Sequence, residues 1–67
     1  MYIIKINNMY FRGFNFDKLD RISGIMLVYD YADAMIFYSE FEAKKNKTVL
    51  SNLIYDTLII KKLEITE

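Results

Sequence analysis

Apolar and polar positions alternate from the second residue onward. Tyr2, Ile4 and Ile6 fall on one side and Ile3 and Lys5 on the other, the two-residue period of a β-strand. Asn7-Asn8 interrupts the alternation, which resumes as Met9, Phe11 and Gly13 against Tyr10 and Arg12. Asparagine tolerates positive φ better than most residues, and both central positions of a type I′ turn need it. The pattern predicts a hairpin over residues 2–14, with Ile6 opposite Met9, Ile4 opposite Phe11 and Tyr2 opposite Gly13. One face would carry Tyr2, Ile4, Ile6, Met9 and Phe11, the other Ile3, Lys5, Tyr10 and Arg12. A lone hairpin is marginal in water, so the apolar face requires a cover.

Residues 15–23 are mostly polar, with Phe16, Leu19 and Ile22 at three-residue intervals. That spacing predicts one helical turn or a structured loop aimed at the core, broken at Ser23-Gly24. Residues 25–30 form an apolar run of strand length, with Ile25, Leu27 and Tyr29 on one face and Met26, Val28 and Asp30 on the other. Such a run suits a central strand or one at an interface. Tyr31-Ala32-Asp33 connects it to a second short run, residues 34–38, in which Phe37 and Tyr38 favour strand over helix.

Ser39-Glu40-Phe41-Glu42 matches the capping-box pattern S-x-x-E. The hydroxyl of Ser39 would accept from the Glu42 amide, and the Glu42 carboxylate would reach back to the Ser39 amide. Glu40 and Glu42 precede Lys44, Lys45 and Lys47, an order that complements the helix dipole, and Glu40 and Lys44 form an i,i+4 pair. A helix is expected over residues 40–53, with Phe41, Val49, Leu50 and Leu53 facing the hairpin. Residues 58–66 then read as a closing strand, Ile59, Leu63 and Ile65 inward and Leu58 and Ile60 on the opposite face.

The predicted fold class is α+β: a small antiparallel sheet of four to five strands with one helix packed on one face, in the order β-β-(turn)-β-β-α-β. Sixty-seven residues suit a single domain, residues 1–67. A helix on one side leaves the second sheet face bare, with Ile3, Tyr10, Phe14, Leu58 and Ile60 as its expected lining.

Composition changes this picture in one respect. A chain this short buries only about 60% of the surface its unfolded form exposes, and with no Cys and no His it has neither disulfides nor the usual transition-metal ligands. Yet 54% of its residues are hydrophobic and six are Tyr. That is more apolar side chain than one small core shelters, which points to a homodimer or a surface reserved for a partner. Nine basic residues balance nine acidic ones, whereas a general nucleic-acid binder carries a basic excess. No apolar run reaches the roughly 20 residues of a membrane span. No basic segment leads into an apolar one as in a signal peptide, and a protein without Cys fits the cytoplasm.

The hairpin residues Tyr2, Ile4, Lys5, Asn7, Tyr10 and Phe11, written YxIKxNxxYF, and the junction Ala34, Phe37, Ser39, Glu42 and Ala43, written AxxFxSxxEA, resemble a layout of short proteins encoded by phages and prophages of AT-rich bacteria. The likeness spans about two thirds of the chain. Some proteins of that kind bind and block host defence machinery, including CRISPR effectors. The resemblance implies an anti-CRISPR-like inhibitor acting in the host cytoplasm, and it carries no functional residue with it.

Three groups of side chains carry candidate chemistry. Tyr29, Asp30, Tyr31 and Asp33 form an acidic, aromatic edge suited to a protein partner that handles nucleic acid; the plainer reading is a solvated loop. Lys44, Lys45, Lys47, Lys61 and Lys62 would make a basic patch for RNA or DNA if helix and last strand are adjacent, though lysines also serve to solubilise helices and edge strands. Asp30, Asp33, Glu40 and Glu42 match no metal-binding loop, so no metal or other cofactor is expected. For catalysis, Ser23, Ser39 and Ser51 lack an evident base; the chain is expected to be a protein-binding inhibitor and not an enzyme.

Overall fold

The computed structural model describes residues 1–64. Four strands, β1 (Tyr2–Ile6), β2 (Met9–Phe16), β3 (Ile22–Val28) and β4 (Leu58–Lys62), form an antiparallel sheet in the order β3-β2-β1-β4. One helix, α1 (Glu40–Ser51), contacts β1 and β4. This is the expected α+β class. Ile65 and Thr66, expected to end the last strand, lie outside the described residues.

The hairpin turn falls where the two asparagines stand, with Ile6 opposite Met9 and Lys5 opposite Tyr10. Only Asn7 has positive φ, 56°, so the turn departs from type I′, which needs it at both central residues. Asn7 Nδ2 donates to Asp56 Oδ1 at 3.1 Å and ties the turn to the loop after the helix.

The hairpin then opens. Phe11 pairs with Leu27 and Gly13 with Met26, so Arg12 is an extra residue on β2, a β-bulge that bends its strand. Beyond Tyr10, β2 leaves β1 and the connector takes its place. Met35 N–H donates to the Phe11 carbonyl at 2.9 Å, and Tyr2 and Phe37 exchange backbone hydrogen bonds. The expected pairing of Tyr2 with Gly13 is thus replaced by Tyr2 with Phe37. For the same reason residues 34–38, expected as a strand, make a single bridge: the gap in the fork is one pair long.

The core lies between helix and sheet: Ile4, Ile6, Phe11, Phe37, Ala43 and Leu50, with Tyr2, Phe14, Ile25, Ile54, Leu58 and Ile60 packed around it. Phe11 stacks on Phe37 with ring centroids 6.3 Å apart and meets Phe14 edge-on at 4.9 Å. Phe14, Leu58 and Ile60 therefore lie on the helix side, not on the bare face, and Ile3, expected on the bare face, is buried there, 1% exposed. Register explains the last strand: Ile60 stands opposite Ile4 and Leu58 opposite Ile6, and antiparallel partners share a face. Ile59, expected inward, stands opposite Lys5 on the other face and is half exposed.

The helix begins as its cap dictates. Ser39 is extended, and its hydroxyl accepts from Glu42 N–H at 3.1 Å. Its buried residues are Ala43 and Leu50, seven apart and so on one face. Phe41 lies off that face and is 75% exposed. The small Ala43 sits where the helix presses on the sheet, a place the sequence stripe assigned to Phe41.

The loop after β2 also differs from expectation. Asp17 Oδ1 accepts from Leu19 N–H at 2.8 Å and Arg21 N–H at 3.0 Å, and Oδ2 accepts from Arg21 Nε at 3.1 Å. These bonds to the charged form hold the Asp17 carboxyl below the ordinary range, those from the Arg21 and Leu19 backbone first. The turn so formed leaves Phe16, Leu19 and Ile22 exposed instead of delivering them to the core.

Candidate functional site

Tyr29, Asp30, Tyr31 and Asp33 stand together at the start of the connector between β3 and α1. Asp30 caps a short 3-10 turn, Tyr31–Asp33, by accepting from Ala32 N–H at 2.9 Å. That turn is tied to the β2 bulge, where Arg12 Nη1 donates to the Asp33 carbonyl at 2.9 Å. The residue bulged out of the β2–β3 pairing thus anchors the connector. Tyr29 and Tyr31 project into solvent, 80% and 60% exposed. The carboxylates of Asp30 and Asp33 flank them on exposed backbone.

The connector displays more than those four residues. Met35, Ile36 and Tyr38 are exposed as well, on backbone pinned by Met35 to Phe11 and by Phe37 to Tyr2. Sequence reasoning gave residues 34–38 to a strand, and so hid this part of the surface. The available signal was the density of large apolar residues next to a run too short to need them all.

The lysines divide. Lys44, Lys47 and Lys62 line one groove of about 630 Å³ between α1 and β4, together with Tyr2, Glu40 and Ile60. Lys45 sits beside Phe41, Thr48 and Val49 along the outer side of the helix. Lys61 stands opposite Ile3, on the sheet face away from the helix. Glu40 Oε1 lies 3.1 Å from Lys44 Nζ. The five-lysine patch expected from the sequence is therefore a three-lysine groove with one carboxylate in it. Nor do Tyr10, Phe11 and Phe14, the aromatic side chains on which bases would have to stack beside such a patch, line it.

Among the described residues no group of three or more His, Cys, Asp or Glu side chains is placed to hold a metal ion. Glu40 and Glu42 belong to the first turn of the helix, Glu42 giving its amide to Ser39. No helix of the described residues is long and apolar enough to cross a membrane.

No family model, curated protein or solved structure matches the chain.

Proposed function

We propose that this chain is a non-enzymatic protein ligand that binds a larger protein through the connector and blocks it stoichiometrically. The observation that carries the reading is the contrast between display and anchorage. Tyr29, Tyr31, Met35, Ile36 and Tyr38 are exposed, yet the backbone that bears them is fastened to β1 and β2 by hydrogen bonds of 2.8–2.9 Å. Holding large aromatic side chains ready for contact lowers the entropy cost of binding. Tyrosine offers a wide contact area with a polar tip and is favoured at interfaces.

The class of target rests on two supports. Asp30 and Asp33 beside the tyrosines suit a basic groove of the kind that holds nucleic acid. The layout resembling short phage proteins suits a host defence enzyme. Together they favour an anti-CRISPR-like inhibitor over a nucleic-acid-binding regulator, for which the lysines are dispersed. The test is affinity capture from a bacterial lysate with the wild-type chain and with Tyr31→Ala/Asp33→Lys. Loss of the captured protein with the double variant is expected. Equal capture by both chains removes the connector as the contact surface.

A further inference from the structure

β4 is the outer strand of the sheet, paired only with β1 among the described residues. The alternation of the antiparallel ladder says which of its backbone groups are free. Leu63 N–H donates to the Met1 carbonyl at 2.7 Å. In an antiparallel pair every second residue is hydrogen-bonded to its partner, so Lys61 and Ile59 turn their backbone groups toward Ile3 and Lys5. Tyr2 follows the same rule from the other side, since its N–H and C=O go to Phe37. Leu58, Ile60 and Lys62 therefore point their N–H and C=O outward, away from the sheet.

Those same three residues line the groove with Lys44 and Lys47. Backbone donors and acceptors without a partner among the described residues, and a cationic wall, are thus presented to the same occupant. Three lysines against Glu40, itself paired with Lys44, leave an excess of positive charge. We infer that the β4 edge takes up an extended acidic peptide segment as a fifth, antiparallel strand, its carboxylates turned toward Lys44, Lys47 and Lys62. Strand addition of this sort draws affinity from main-chain hydrogen bonds and selectivity from alternate side chains.

Charge decides between occupants. A second copy of the chain would bring Lys61 and Lys62 of each subunit into one short ladder in which β4 supplies no carboxylate; edge lysines discourage such self-pairing. An oligonucleotide would leave the outward amides of β4 without the regular acceptors of a strand.

The test uses the whole chain and an end-blocked, fluorescein-labelled decapeptide of alternating glutamate and threonine. Fluorescence anisotropy should show saturable binding, with Kd raised at least tenfold by Lys47→Glu/Lys62→Glu. On binding, amide exchange should slow at least tenfold at Leu58, Ile60 and Lys62 and stay unchanged at Ile59 and Lys61. In an antiparallel pair the glutamates facing the groove also direct their N–H groups at β4. N-methylation of the glutamates should therefore abolish binding, while N-methylation of the threonines should preserve it. The inference is overturned by absence of saturable binding, or by equal effects of the two methylated peptides. It is also overturned if the three amides are already slow in a free chain that scatters light as a dimer. Slowing of none of the three amides by peptide, with tight binding of a single-stranded oligonucleotide, would overturn it too.

Discussion

Tyr2 and Phe37 exchange both of their backbone hydrogen bonds, each at 2.8 Å. This pair fills the fork where β2 parts from β1. It satisfies backbone groups of β1 that β2 has abandoned, and it places the Phe37 ring on Phe11. Unpaired backbone groups in that position would cost as much as lost hydrogen bonds. The connector backbone is thereby joined to the sheet at one pair, which fixes where its exposed side chains are displayed.

Leu50 and Phe41 sit on the same helix with opposite fates. Leu50 is 0% exposed, and Leu50→Ala leaves a cavity against Ile4 and Ile6; a loss of about 2–5 kcal/mol is expected. Phe41→Ala removes a larger side chain from solvent and should change stability by no more than about 0.5 kcal/mol. Urea unfolding followed by far-UV circular dichroism ranks the two, and the reverse order would contradict the packing described.

Ser39 satisfies one of the first amides of the helix. Ser39→Ala should cost about 1 kcal/mol, and Ser39→Asp should restore most of it. Thermal unfolding of the three chains measures the difference.

At Gly13 an added Cβ would lie 3.1 Å from Met26 Cε and 3.5 Å from Met35 Cε. Both are the free ends of flexible side chains, and the backbone there is not in the left-handed region. Gly13→Ala should therefore fall within about 1 kcal/mol of the wild type, since reduced freedom of the unfolded chain offsets the crowding. Gly13→Val forces the methionines apart and should destabilise by about 1–3 kcal/mol. Equilibrium unfolding in urea distinguishes the two.

The Asp17 turn carries a pH dependence. Its carboxyl is held below the ordinary aspartate range by hydrogen bonds from the Arg21 and Leu19 backbone. The folded turn is therefore favoured above the unfolded value, about 3.9, and loses that support as pH falls through the lower folded value. Amide exchange at Leu19 and Arg21, corrected for the intrinsic rate, should accelerate across that acid range in the wild type. In Asp17→Asn the corrected rates should be flat over the same range.

Much of the fold was legible because local chemistry set it. Asn7-Asn8 fixed the place of the first turn, Ser39 the start of the helix, and the alternation of residues 2–6 the face of β1 that meets the helix, though Ile3 on the other face is buried as well. What escaped the sequence depends on distant parts of the chain. Residues 35–37 fill the fork between β1 and β2, and Gly13, the one sign in YFRGF of a bulge, does not say which segment will stand beside it. The face of residues 58–62 follows from pairing with β1, and the two lysines at its end gave no clue to it. Phe41 looked like a core residue because apolar spacing does not tell where a helix touches its sheet. The tyrosines of the candidate edge were visible as an excess, but the anchorage that gives them meaning came from Arg12 and Phe37.

The central position of β1 also sets an order of assembly. Its partners are β2 beside it, Phe37, and β4 at the far end of the chain. Closing contacts over such separations slows folding. During synthesis residues 2–6 are made well before β4 and acquire that neighbour only after residue 62 has been added. Throughout that interval an isoleucine-rich segment waits with one flank unzipped, and an unpaired strand edge of that kind is open to mispairing.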